Sequence, residues 1–146
     1  MTNVVLGEVV GSWVMRHMEG SAVFTPQSMT AIGCERDGKL IAGFVFENWN
    51  GQSMMAHMAI QGRASREFFR FAADYAFRQC GIYKLIAPID AHNNGSIHLV
   101  QKIGFRYECR IADANPHGDI CIFTLVEEDC RFLKGRYGQK CCAASA

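Results

Sequence analysis

The chain has 146 residues, a formal net charge of +1, and is 49% apolar and 20% charged. That length suits one domain with a real core, and so small a charge gives no argument for binding nucleic acid or a membrane surface. No run of about 18 apolar residues occurs, so no membrane-spanning helix is expected. The opening Met1-Thr-Asn-Val-Val-Leu-Gly-Glu8 has neither a basic lead nor an unbroken apolar stretch, so it does not read as a signal peptide. Seven cysteines are scattered without a Cys-x-x-Cys pair or a zinc-like spacing. They read as reduced thiols of a cytoplasmic protein, several of them small core residues, with no metal expected.

Taken in order, Val4 to Leu6 suggests a very short strand. Gly7 to Met18 follows as an amphipathic helix, with Val10, Val14 and Met18, and also Trp13 and His17, at helical spacing. Glu19-Gly20-Ser21 breaks it, and Thr25-Pro26-Gln27-Ser28 reads as loop. Met29 to Glu35 and Lys39 to Glu47 are strand-like runs joined by Arg36-Asp37-Gly38, a strong hairpin signal. Asn48 to Gln52 is a second turn into an apolar strand, Met54 to Ile60, so three consecutive strands are antiparallel.

A short basic turn, Gln61-Gly-Arg-Ala-Ser65, leads from that strand into the clearest helix of the chain, Arg66 to about Cys80. Ser65 suits its N-cap. Arg66, Arg70, Asp74 and Arg78 form a polar stripe, Phe68, Phe69, Ala72, Ala73, Ala76 and Phe77 face a sheet, and Gly81 ends it. A strand feeding a helix through a glycine-containing turn is a ready anion site, because the first helical amides lack internal partners and the dipole attracts negative charge. Arg63 and Arg66 strengthen that field, and the turn reads as the seat of a nucleotide-like pyrophosphate.

Tyr83 to Ile89 is the next strand, parallel to Met54–Ile60 because a helix connects them. Asn93 starts a helix that runs to Ile103 and stops at Gly104, and strands Phe105 to Ala112 and Asp119 to Val126 follow. The polar tail from Lys134 is expected to fray, which leaves one domain over residues 1–133. The order strand–helix–three strands–helix–strand–helix–two strands gives an α+β fold in α/β/α layering, with a mixed, mostly antiparallel sheet around one central parallel pair.

Asn93-x-x-Ser96-x-x-Leu99-x-x-Lys102-x-Gly104-Phe105 resembles a segment of the GNAT superfamily of N-acetyltransferases. The hairpin from Glu35 to Gly43 resembles that family's second and third strands, and the basic turn stands where the family has its acetyl-CoA pyrophosphate loop. The resemblance covers roughly Met29 to Leu125 and is nearest to short GNAT-like proteins of tailed bacteriophages. Two departures stand out. Ala64 occupies the place of the first loop glycine and Arg66 that of the last small residue. Val100 stands where many members carry a tyrosine that reprotonates the CoA thiolate, so that proton comes from elsewhere.

The resemblance implies acetyl-CoA as co-substrate, no metal, and direct attack by a primary amine, from a small molecule or a protein, in a ternary complex. It implies pyrophosphate binding by Gly62, Arg63, Ala64, Ser65 and Arg66, pairing of the pantetheine arm near Ala59 and Ile60, and a contact from Asn93. A β-strand amide would stabilise the developing oxyanion. The attacking amine must lose a proton, since an alkylammonium has a pKa of about 10. His57 is the first choice of base, on the strand face it shares with Met55 and Ala59; Glu47 is the second, acting through water. A homodimer through the last strands is compatible with this reading. The alternative is a GNAT-fold module without turnover that acts on a partner protein.

Overall fold

The structure, a computed structural model, describes residues 2–18 and 29–133. The break expected at 19–21, the loop at 25–28 and the tail from 134 lie outside the described residues. Seven strands form one sheet: β1 (Thr2–Leu6), β2 (Met29–Arg36), β3 (Lys39–Glu47), β4 (Ser53–Ile60), β5 (Lys84–Asp90), β6 (Arg106–Asn115) and β7 (Gly118–Val126), in the order β1-β2-β3-β4-β5-β7-β6. Every neighbouring pair is antiparallel except β4 and β5. The helices are α1 (Glu8–His17), α2 (Arg66–Asp74) and α3 (Asn94–Ile103).

The expected turn chemistry is present. Asp37 and Gly38 both take positive φ (53° and 79°) between β2 and β3, as the Asp-Gly signal requires. Ser65 caps α2, its hydroxyl accepting the N–H of Phe68 at 3.2 Å, and Asn93 caps α3 by accepting the N–H of Ser96 at 3.0 Å. The long helix expected from Arg66 to Cys80 is α-helical only to Asp74. Tyr75–Gln79 form a π turn, closed by the N–H of Cys80 on the carbonyl of Tyr75 at 2.9 Å, and Gly81 then takes φ 67°. The Tyr75 hydroxyl donates to Thr30 Oγ1 at 2.9 Å at the start of β2.

The last hairpin is also longer than its composition suggests. The six residues read as a connection, 113–118, shrink to a tight turn at Pro116-His117, because β6 continues through Asp113 to Asn115. Asp113 takes φ 54° and its N–H donates to Asp119 Oδ1 at 2.9 Å, which absorbs the irregularity. A second irregularity lies between Tyr107 and Cys109. These bulges interrupt the exposed edge of β6 and make it a poor template for pairing with another strand.

The two faces of the sheet are packed differently. On one, α2 and α3 cover an aromatic core in which Phe68 is fully buried and stacks on Phe44, with ring centroids 5.4 Å apart. On the other, α1 lies close against small residues. Val10, Trp13 and Val14 cover Ala31, Val45 and Ala59. A Cβ on Gly43 would come within 2.5 Å of the Val14 side chain, and one on Gly11 within 2.1 Å of Met29, so the glycine in α1 is a contact point with the sheet. Cys34, Cys121 and Cys130 are buried apolar residues, while Cys109 is exposed.

Candidate active site

The parallel pair is short. Ser53, Met54 and Met55 pair with Lys84, Leu85 and Ile86, and pairing then stops. Beyond that point β4 remains bound to β3 as far as Ile60 opposite Ala42, and β5 to β7 as far as Asp90 opposite Ile120. Each strand is therefore held by its outer neighbour while the two separate from each other. Pro88 lies in the separated stretch and has no N–H to offer across the gap. Pairing between the two strands ends at Met55, so Ala59 and Ile60 lie within the separated stretch.

The wedge so formed opens into a cavity of about 350 Å³ lined by Met58, Ala59, Ile60 and Gln61 of β4 and its following turn, by Asn93, Gly95, Ser96 and Leu99 of α3, and by His17 of α1. A smaller space of about 40 Å³ adjoins it and is bounded by His57, Met18, Pro88, Asp90 and Val100 among others. Met58, Asn93 and Ser96 line both. Asn93 uses its side-chain oxygen as the cap of α3, so its NH₂ is the part that can serve a ligand.

The side chain of His57 sits on the α1 face, opposite Val45, and is 9% exposed. Glu47 is the diagonal neighbour two residues along β3 on the same face, and its Oε2 lies 3.1 Å from His57 Nε2. The two residues expected as alternative bases are thus one pair. Burial pushes the imidazole of His57 down to about 4. Burial also raises the Glu47 carboxyl, opposed in part by the Asn48 amide, which donates to Oε1 at 3.1 Å. Near neutral pH the ring is uncharged. Nε2 is the ring nitrogen that faces the Glu47 carboxylate.

At the other end of the wedge the turn Gln61–Ser65 leads into the first turn of α2. Gln61 N–H donates to the carbonyl of Ile41 at 2.7 Å, which ties the turn to β3. A residue not expected from the sequence joins it: the Arg36 guanidinium, at the end of β2, donates to the carbonyl of Arg63 at 3.0 Å. Arg36 therefore stands with Arg63 and Arg66 as a third cation at this turn. The pairing of β2 with β3 and of β3 with β4 brings it there, and spacing along the chain carries no sign of that. His98, Lys102 and His117 are exposed, the first two on α3 and the last in the β6–β7 turn, and none of them lines the wedge.

The fold has known counterparts among solved structures. The spermidine/spermine N-acetyltransferase SpeG of Vibrio cholerae, solved in mutant forms, superposes with a TM-score of 0.69 at 15% identity over 96% of this chain and 99% of that one. The fold is that of the GNAT acetyltransferases. A complex of the Vibrio cholerae spermidine N-acetyltransferase with CoA and spermine matches at a TM-score of 0.62 and 18% identity, over 73% of this chain and 69% of that one. The putative acetyltransferase yncA of Salmonella typhimurium, solved with acetyl-CoA, matches at 0.67 and 12%, over 89% and 96%. No protein-family model and no curated protein sequence matches the chain.

Proposed function

We propose that this protein is an acetyl-CoA-dependent N-acetyltransferase that passes an acetyl group to a primary amine by direct attack in a ternary complex. The observation that carries the reading is the wedge itself: a 350 Å³ cavity between the open edge of β4 and α3, which adjoins a smaller space that β5 and the buried His57 also line, with the turn into the cationic start of α2 leaving from Gln61. GNAT-fold enzymes solved with CoA or acetyl-CoA support it.

In this reading the diphosphate of the cofactor rests on the amides of Gly62, Arg63, Ala64, Ser65 and Arg66. The peptide-like pantetheine arm pairs with the open edge of β4 at Ala59 and Ile60, where β5 has left its acceptors and donors unclaimed. The Asn93 NH₂ supports the arm from α3. An amide of β4 stabilises the thioester oxygen as it takes on charge.

His57 receives the proton of the attacking amine. An imidazole held near 4 is a weak base toward a free ammonium, whose pKa is about 10. The amine must therefore react uncharged, giving up its proton only as the N–C bond forms and its acidity rises. Glu47, 3.1 Å from Nε2, then stabilises the imidazolium as it appears. The spermine bound to the Vibrio cholerae enzyme makes a polyamine a reasonable first acceptor to try. The test is thiol release from acetyl-CoA over a panel of amines that includes spermine, a lysine peptide and small monoamines. Amine-dependent release of CoA is expected with at least one; a chain that binds CoA yet releases no thiol with any would be a binding module.

A further inference from the structure

A second imidazole reaches the wedge, from α1. His17 is the last residue of that helix and lines the larger cavity with Met58, Ile60, Gln61, Asn93 and Ser96. Two contacts fix its ring. Nδ1 lies 2.8 Å from the carbonyl oxygen of Trp13, and the ring stacks on the Trp13 indole with centroids 4.4 Å apart and planes inclined by 23°. A carbonyl oxygen only accepts, so Nδ1 keeps a proton whether the ring is neutral or charged. Nε2 is left as the atom that can exchange a proton with whatever occupies the cavity.

We propose that His17 Nε2 delivers the proton to the thiolate that departs from the thioester; this rests on the transferase reading above. A thiolate whose conjugate acid has a pKa of about 8.5 leaves most readily when it is protonated as it goes. Among the described residues lining the larger cavity, His17 is the one titratable side chain. The adjoining space adds His57 and Asp90, and Arg16 precedes His17 on α1. Burial keeps His57 uncharged, with the Glu47 carboxylate 3.1 Å from its Nε2, which suits it to accept a proton and not to give one. Asp90 acts as an acceptor, taking the N–H of His92 at 3.0 Å.

The step balances. The amine nitrogen bonds to the carbonyl carbon and its proton goes to His57. The C–S bond breaks, its electron pair goes to sulfur, and the Nε2 proton of His17 follows. His17 is left neutral with its proton on Nδ1, and its half-buried ring regains the other from water. The same chain thus brings two imidazoles to the wedge, one placed to take a proton and one to give it.

The test is the His17→Gln variant of the full-length protein, followed by thiol release and calorimetry. A general acid contributes on the order of 100-fold or more, so kcat is expected to fall by about that factor while CoA affinity stays the same. The alkaline limb of the wild-type kcat–pH profile should disappear, and free imidazole should restore part of the rate to His17→Ala. A His17→Gln enzyme that keeps the wild-type kcat and its alkaline limb, or a His17→Ala enzyme deaf to imidazole, overturns the assignment and leaves the transferase reading standing. A wild-type chain that releases no thiol overturns both.

Discussion

The first half of β4 and its second half are built for different ends. From Ser53 to Met55 the strand is zipped to β5, and Met54 and Leu85, which pair directly, are 3% and 4% exposed in the aromatic core. From His57 to Ile60 the neighbour is gone, and the side chains and caps around the gap are His17, His57, Asn93 and Ser96. The difference teaches that the sheet is not weakened where it opens. Each wall has an antiparallel partner that runs the full length of the gap, so the open half needs no contact across the wedge to keep its shape. Backbone groups that a closed sheet would consume are left for a ligand.

The sharpest way to break this division is to remove a large side chain from the aromatic core that the zipped half joins. Phe68→Ala should cost about 3–5 kcal/mol of stability, read from the shift of a denaturant midpoint, because a fully buried ring leaves a cavity in a packed core. Ser96→Ala, in the open half, should change stability by less than about 0.5 kcal/mol. Equal losses at the two sites would contradict the division.

Acid should act on the open half. His57 has a folded pKa near 4, below its unfolded value of 6.5, so the unfolded chain binds more protons between them and stability falls as pH drops through that window. The full cost is on the order of 3 kcal/mol, at about 1.4 kcal/mol per pH unit. The raised Glu47 carboxyl works in the opposite sense and offsets part of it. Chemical denaturation at pH 7 and pH 4.5 should show the loss in the wild type and a flatter response in His57→Gln.

The same substitution should lower kcat/KM by about 100-fold, near 2.7 kcal/mol of transition-state stabilisation, with CoA affinity preserved. Loss of CoA affinity in step with kcat/KM would make His57 a structural residue. A smaller loss than at His57 or Phe68 is expected at the helix start. Ser65→Ala removes the acceptor of the Phe68 N–H and should cost about 1 kcal/mol by thermal unfolding.

Local chemistry made much of this architecture legible in the sequence. Asp37-Gly38, Ser65 and Asn93 announce a hairpin and two helix starts through their own side chains or backbone freedom, and the element order follows from apolar period. What stayed hidden depends on partners distant in the chain. The π turn at Tyr75–Gln79 accompanies a bond from Tyr75 to Thr30, and the length of β6 depends on Asp119 holding Asp113. The same limit applies to the site. His57 and Glu47 were visible as two separate candidates, but a diagonal contact between strands is what joins them. Arg36 and His17 carried no signal beyond a hairpin arginine and a Trp-x-x-x-His spacing, whose meaning came only with the sheet and the cavity.

Calorimetric titration of the purified chain with CoA tests the central claim most directly, with Ser96→Trp as the companion variant that fills the wedge. Saturable binding of one CoA per chain is expected in the wild type, with loss of that binding in Ser96→Trp. No heat of binding in a folded wild-type protein, or equal affinity in both proteins, would contradict a cofactor seated between β4 and β5.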